Sequence, residues 1–151
     1  MTRSVVAGVA YFAIVFAVAF ALGVLRVTFI VPAVGGLLAT WLELPFTLAA
    51  SWFVCGWLVR VLGVGSLGEA IGMGAGAFAL LMVAEAVGSM LLFGRSLEDH
   101  IASYATTAGA LGLAGQIAFG LFPIVQHVRA PIAPARTNVP PNEKPTPTPV
   151  P

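Results

Sequence analysis

Along most of this chain apolar residues follow one another around every side of a helix, and most charged residues mark the ends. Ser4 to Leu25 holds no charged residue, and Thr40 to Val59 holds only Glu43. Runs of this length predict membrane-spanning helices rather than amphipathic surface helices. The pattern places four of them, at about residues 4–26, 40–60, 67–93 and 97–125. At 1.5 Å per residue the first is about 33 Å long and the second about 30 Å, enough for a hydrocarbon core of about 30 Å. The first turns of the fourth are expected in the headgroup zone. The fold class is therefore all-α, an integral membrane four-helix bundle.

The stretch from Leu25 to Trp57 organises the rest. It carries one arginine, Arg26, and one glutamate, Glu43, around a Pro32/Gly35/Gly36 break. The apolar, β-branched connector from Val27 to Ala39 reads either as a continuation of the first helix or as an interfacial turn. Helices 2, 3 and 4 each open on a similar device: Thr40 with Glu43, Ser66 with Glu69, Ser96 with Asp99. A hydroxyl at the N-cap and an acid three residues on can satisfy two orphan amides and favour the positive end of the dipole. Pro45, near the start of helix 2, forfeits one backbone bond or kinks the helix.

Composition agrees with lipid as the solvent. Charged residues are 9% of the 151 and hydrophobic residues 59%, where a soluble domain carries about 25% charged. A net charge of +1 without a basic cluster excludes a nucleic-acid partner. The lone Cys55 falls inside a span and reads as a small packing residue. The apolar run after Arg3 exceeds a signal-peptide core, so a retained first helix is expected, and no lipidation motif is visible. Residues 1–130 form the membrane domain. From Pro131 to Pro151, eight of 21 residues are proline, which predicts an extended, disordered, solubilising tail.

Arg3, Arg60, Arg129, Arg136 and Lys144 fall on one side of the four spans, while Arg95 on the other is offset by Glu98 and Asp99. The positive-inside rule then puts both termini in the cytoplasm. Trp41 and Trp57 suit interfacial anchors, whereas Trp52 is deeper and expected to pack. Gly68, Gly72 and Gly76 form a small-residue face that would admit another helix, within the bundle or in a homodimer or partner protein. Ala108, Gly112, Gln116 and Gly120 form a stripe that aims Gln116 into a helix interface.

Measured from the cytoplasmic side, Arg26 stands about 34 Å up, Glu43 about 25 Å and Glu85 about 28 Å. These three residues are expected to converge as an intramembrane polar cluster, supported by Thr106, Thr107 and Gln116. Glu85 is the most informative, because no cap or loop explains it. In one reading Arg26 bridges the acids and fixes helix register; in the other a carboxylate is left to exchange a proton or bind a cation.

Enzymatic chemistry is not expected. His100 and His127 fall on opposite membrane faces and cannot share a metal, and Asp99/His100/Ser103 reads as a solvated helix cap. No HExxH, GxSxG, CxxC or phosphate loop occurs, and no cofactor is implied. The glycines from Gly72 to Gly76 lie within an apolar helix and mean packing.

Arg26-x5-Pro32, Glu43-Leu44-Pro45, Ser51-Trp52, Phe93-Gly94-Arg95-Ser96 and Gly112-Leu113-Ala114-Gly115-Gln116 resemble a family of small uncharacterised four-helix bacterial inner-membrane proteins. The resemblance spans about Leu25 to Gln126 and implies that location without a mechanism. Small multidrug exporters share the size and span count, but their membrane glutamate lies on the first helix, which here has no acid. The function expected is a non-enzymatic accessory partner of another membrane component; the alternative is a small proton- or cation-coupled transporter using Glu85.

Overall fold

The computed structural model describes residues 2–129 and is all-α. The proline-rich segment 131–151 lies outside the described residues. Four stretches are long and apolar enough to cross a membrane: Arg3–Val34, Gly36–Leu62, Leu67–Phe93 and Thr107–Arg129. The first is composite. Helix α1 (Thr2–Leu25) runs into a π segment (Arg26–Ile30) and then into the short α2 (Val31–Val34). Pro32 has no amide hydrogen to continue the ladder, and just ahead of it the Val31 amide reaches five residues back to the Arg26 carbonyl. The connector is thus a continuation of the helix through Val34.

The chain reverses at one residue, Gly35, whose φ of 82° suits glycine. Its amide donates to the Val31 carbonyl at 2.9 Å, and its carbonyl accepts from the Ala39 amide at 3.1 Å. Helix α3 (Gly36–Leu62) therefore starts four residues before the expected position. That shift overturns the proposed Thr40/Glu43 cap. Gly35 is the cap position, Thr40 is inside the helix, and its hydroxyl donates back to the Gly36 carbonyl at 3.0 Å.

The other two capping boxes are present. Ser66 and Glu69 open α4 (Leu67–Phe93), and Ser96 and Asp99 open α5 (Leu97–Ser103). The fourth predicted helix is not continuous. It breaks at Tyr104–Thr106, where three amides bond only three residues back. Thr106 then starts α6 (Thr107–Arg129) by accepting from the Gly109 amide at 3.0 Å. A side chain at Gly109 would strike the Ser103 carbonyl, so glycine lets α6 tuck under α5.

The four long helices form a ring in which α1 and α6 each pack on α3 and α4. Ala7, Tyr11 and Val15 of α1 meet Cys55 and Leu58 of α3, Ala70, Met73 and Ala77 of α4, and Phe119 of α6 in one buried cluster. Backbones approach most closely where a Cβ on Gly74 would run into the Gly120 carbonyl, and where one on Gly8 would sit 3.0 Å from the Met73 carbonyl. The expected glycine face is not this contact: Gly68 and Gly76 face open space, and Gly72 meets only the Ser4 side chain. Outside, Phe53 is 73% exposed and Leu91 79%, a surface that lipid rather than water accommodates.

Candidate functional site

Helix α3 carries a polar stripe on one side: Thr40, Glu43, Thr47 and Ser51, at spacings of three and four residues. The hydroxyls of Thr47 and Ser51 donate to the carbonyls four residues back, at 3.3 and 2.7 Å. That local bonding satisfies their hydrogens without any other helix and leaves oxygen lone pairs along the stripe. The stripe forms one wall of a cavity of about 280 Å³ among the four spans. Phe12, Phe16 and Phe20 of α1 form another wall, as a ladder with ring centroids 5.2 and 6.2 Å apart. Leu81 and Glu85 of α4 and Gly112, Gln116 and Phe119 of α6 complete it.

The expected cluster divides in two. Arg26 lies at the start of the π segment, one residue beyond α1, and Glu43 lies two turns into α3. The hairpin at Gly35 brings them level: Arg26 Nε is 2.5 Å from Glu43 Oε2. The N–H there is not aligned on the carboxylate, so the contact is an ion pair without a formed hydrogen bond. A second guanidinium nitrogen donates to Thr40 Oγ1 at 3.3 Å. Glu85 takes a different partner. Gln116 Nε2 donates to Glu85 Oε2 at 2.5 Å, joining α4 to α6. Among the described residues no cation is paired with Glu85, although Arg26 and Glu43 line the same cavity.

The supporting threonines are placed elsewhere. Thr106 is occupied in capping α6 and donates to the Ser103 carbonyl at 2.7 Å, and Thr107 is exposed on that first turn. Neither is bonded to Glu85, because the break between α5 and α6 replaces the continuous helix that would have set them at its level. His100 also departs from the solvated-cap expectation. It is buried, with Nε2 3.1 Å from the Tyr104 hydroxyl. Burial, and then the negative charge of Glu85, push the Tyr104 phenol above the usual tyrosine range.

Below the cavity the bundle is sealed. The Tyr11 and Phe119 rings stack with centroids 4.3 Å apart, and the Tyr11 hydroxyl donates to the Phe119 carbonyl at 3.1 Å. That carbonyl belongs to the residue four before Pro123, so no helical amide is available to it. Trp52 packs edge-on against Phe122 at 5.1 Å, and its carbonyl accepts from Gln126 Nε2 at 2.7 Å.

Sequence reasoning overlooked Thr47, Ser51, the phenylalanine ladder and Tyr11 as parts of one site. The first two shared a helix face with Glu43, and the phenylalanines recur every four residues, so both signals were in the sequence. No group of three or more His, Cys, Asp or Glu side chains that could hold a metal occurs among the described residues. Compared with protein-family models, curated proteins and solved structures, the chain matches none.

Proposed function

We propose that this is a small multi-pass inner-membrane carrier that binds a solute in the cavity and exchanges a proton at Glu85. The observation that carries the reading is the division of the polar cluster. Arg26 is committed to Glu43, while Glu85 lines the cavity with a neutral amide as its partner. An ionisable group within a bilayer needs a function or a counter-ion. A carboxyl held by an amide can gain or lose a proton without breaking an ion pair. No covalent chemistry is assigned to the site, and no cofactor or metal is needed for it.

The proposed orientation puts both termini in the cytoplasm, since Arg3, Arg60 and Arg129 lie at the ends of spans on one side. The cavity then belongs to the opposite half of the bundle. Reporter fusions after Arg129 and in the Gly94–Arg95 loop test this, the expected result being a cytoplasmic signal from the first only.

In vesicles reconstituted with the full chain and loaded with a pH dye, ions, amines, carboxylates and sugars are applied in turn. At least one class is expected to drive a pH change that Glu85→Gln abolishes. A panel with no Glu85-dependent response overturns the reading.

The accessory-partner reading draws on the same Arg26–Glu43 pair, which fixes the first hairpin without involving Glu85. Its test is co-purification from native membranes, with a stoichiometric companion retained by Glu85→Gln as the expected result.

A further inference from the structure

We propose that the cavity selects a compact monovalent protonated amine with an apolar body. This rests on the reading of the cavity as a solute site and names the class of solute. Three observations converge on it.

Hydrogen-bonding capacity comes first. The Thr47 and Ser51 hydroxyls spend their hydrogens on backbone carbonyls. One of the two Gln116 amide hydrogens is used on Glu85, and Gln116 Oε1 is buried without a partner. Arg26 is turned to Thr40 and Glu43. On the Thr47, Ser51 and Glu85 side of the cavity the groups left open are acceptors, so a ligand that donates is favoured there. The spare N–H groups of the lining belong to its other polar side chains, Gln116 and Arg26.

Charge comes second. Arg26 and Glu43 cancel, and ionised Glu85 leaves the cavity with a single negative charge. That balance matches one positive charge on the ligand and repels a carboxylate or phosphate.

The third is the apolar wall. The Phe12–Phe16–Phe20 ladder and Phe119 present aromatic rings, which attract an organic cation by their faces and accept its hydrocarbon part. A divalent metal cation would instead be favoured by a cluster of ligating side chains, and no group of three or more His, Cys, Asp or Glu that could hold one occurs among the described residues. A quaternary ammonium has the charge but no N–H, and would make no hydrogen bond to the Thr47 and Ser51 oxygens or the Glu85 carboxylate.

Gly112 provides the blocking variant. It lines the cavity, and a Cβ added there meets nothing within 4 Å, so a larger side chain can be started from this position without a clash at its first carbon.

The test uses the full chain in lipid nanodiscs, with empty nanodiscs subtracted, and calorimetry alongside a pH indicator. The probes are cyclohexylammonium, its N-trimethyl derivative, cyclohexanol and cyclohexanecarboxylate. Cyclohexylammonium is expected to bind about tenfold or more tighter than any of the other three. Gly112→Leu is expected to abolish that binding while helicity and thermal stability are kept, and the bound amine is expected to displace a proton that Glu85→Gln no longer releases. Equal or tighter binding of cyclohexanol or the carboxylate, with proton release intact, overturns the amine class and leaves proton exchange standing. Selective amine binding without any Glu85-dependent proton release overturns proton exchange and leaves the amine class standing. If none of the four probes binds, the amine class is overturned, and proton exchange stands or falls by the vesicle panel.

Discussion

The Tyr11 hydroxyl donates at 3.1 Å to the Phe119 carbonyl, the acceptor that Pro123 leaves without a helical amide. This one bond crosses the bundle between α1 and α6, which otherwise meet mainly through α3 and α4. It also closes the floor of the cavity, since Phe119 lines the chamber above and Tyr11 belongs to the packed core below.

Removing the hydroxyl orphans a buried carbonyl. Tyr11→Phe is therefore expected to cost about 1 kcal/mol, within the range measured for polar contacts inside membrane bundles. The cost should shrink in a Pro123→Ala background, where residue 123 regains an amide for the Phe119 carbonyl. Unfolding in mixed micelles by SDS, run on the four proteins of that cycle, checks the coupling. Strictly additive effects would show that the proline and the tyrosine act independently.

The closest approach between helix backbones distinguishes two kinds of glycine on α4. Gly74→Ala is expected to destabilise by about 1–3 kcal/mol, because its methyl meets the Gly120 carbonyl and backbone must shift. Gly68→Ala and Gly76→Ala face open space and are expected to leave the SDS midpoint unchanged or slightly raised. If Gly68 and Gly76 form an interface between copies, their alanine variants would instead shift the oligomer distribution on native gels.

Arg26 and Glu43 are each partly shielded, with side chains 31% and 17% exposed. Losing one partner leaves the other charge alone at the membrane edge, so Arg26→Gln and Glu43→Gln are each expected to lower thermal stability. The double variant should be less damaged than the sum, because it removes both charges together. Thermal unfolding in one detergent decides this, and a double variant as damaged as the sum would argue against the pair.

Outside the membrane, Asp99 accepts from the Ser96 hydroxyl at 2.7 Å and from its amide at 3.4 Å, which together hold its carboxyl below the usual aspartate range. A carboxyl with a lowered folded-state value stabilises the fold above its unfolded value, about 3.9, and that support is lost as pH falls through the folded value. The Ser96 and Asp99 amide resonances are expected to titrate with a midpoint below that of a model aspartate, and Asp99→Asn should abolish the transition. A midpoint at or above the model value would show that the cap does not favour the ionised carboxyl.

The sequence by itself determined that four spans exist, that Ser66 and Ser96 cap helices, and that Arg26 and Glu43 return to similar depth. Each follows from local physics: backbone groups must bond internally in oil, a hydroxyl and an acid three apart satisfy a helix start, and rise per residue converts number into height. What only the tertiary structure decided is which side chain meets which. Helices apolar on every side carry little periodic signal for their rotation, so nothing local tells Glu85 to take Gln116 rather than Arg26. The one-residue reversal at Gly35 turned Thr40 from a cap into an interior residue, and the break at Tyr104–Thr106 moved two threonines away from the acid they were expected to serve. The cavity likewise exists only because three phenylalanines of α1, a hydroxyl stripe of α3 and the small residues Gly112 and Gly115 of α6 come together, a matter of helix phase and offset rather than of any single segment.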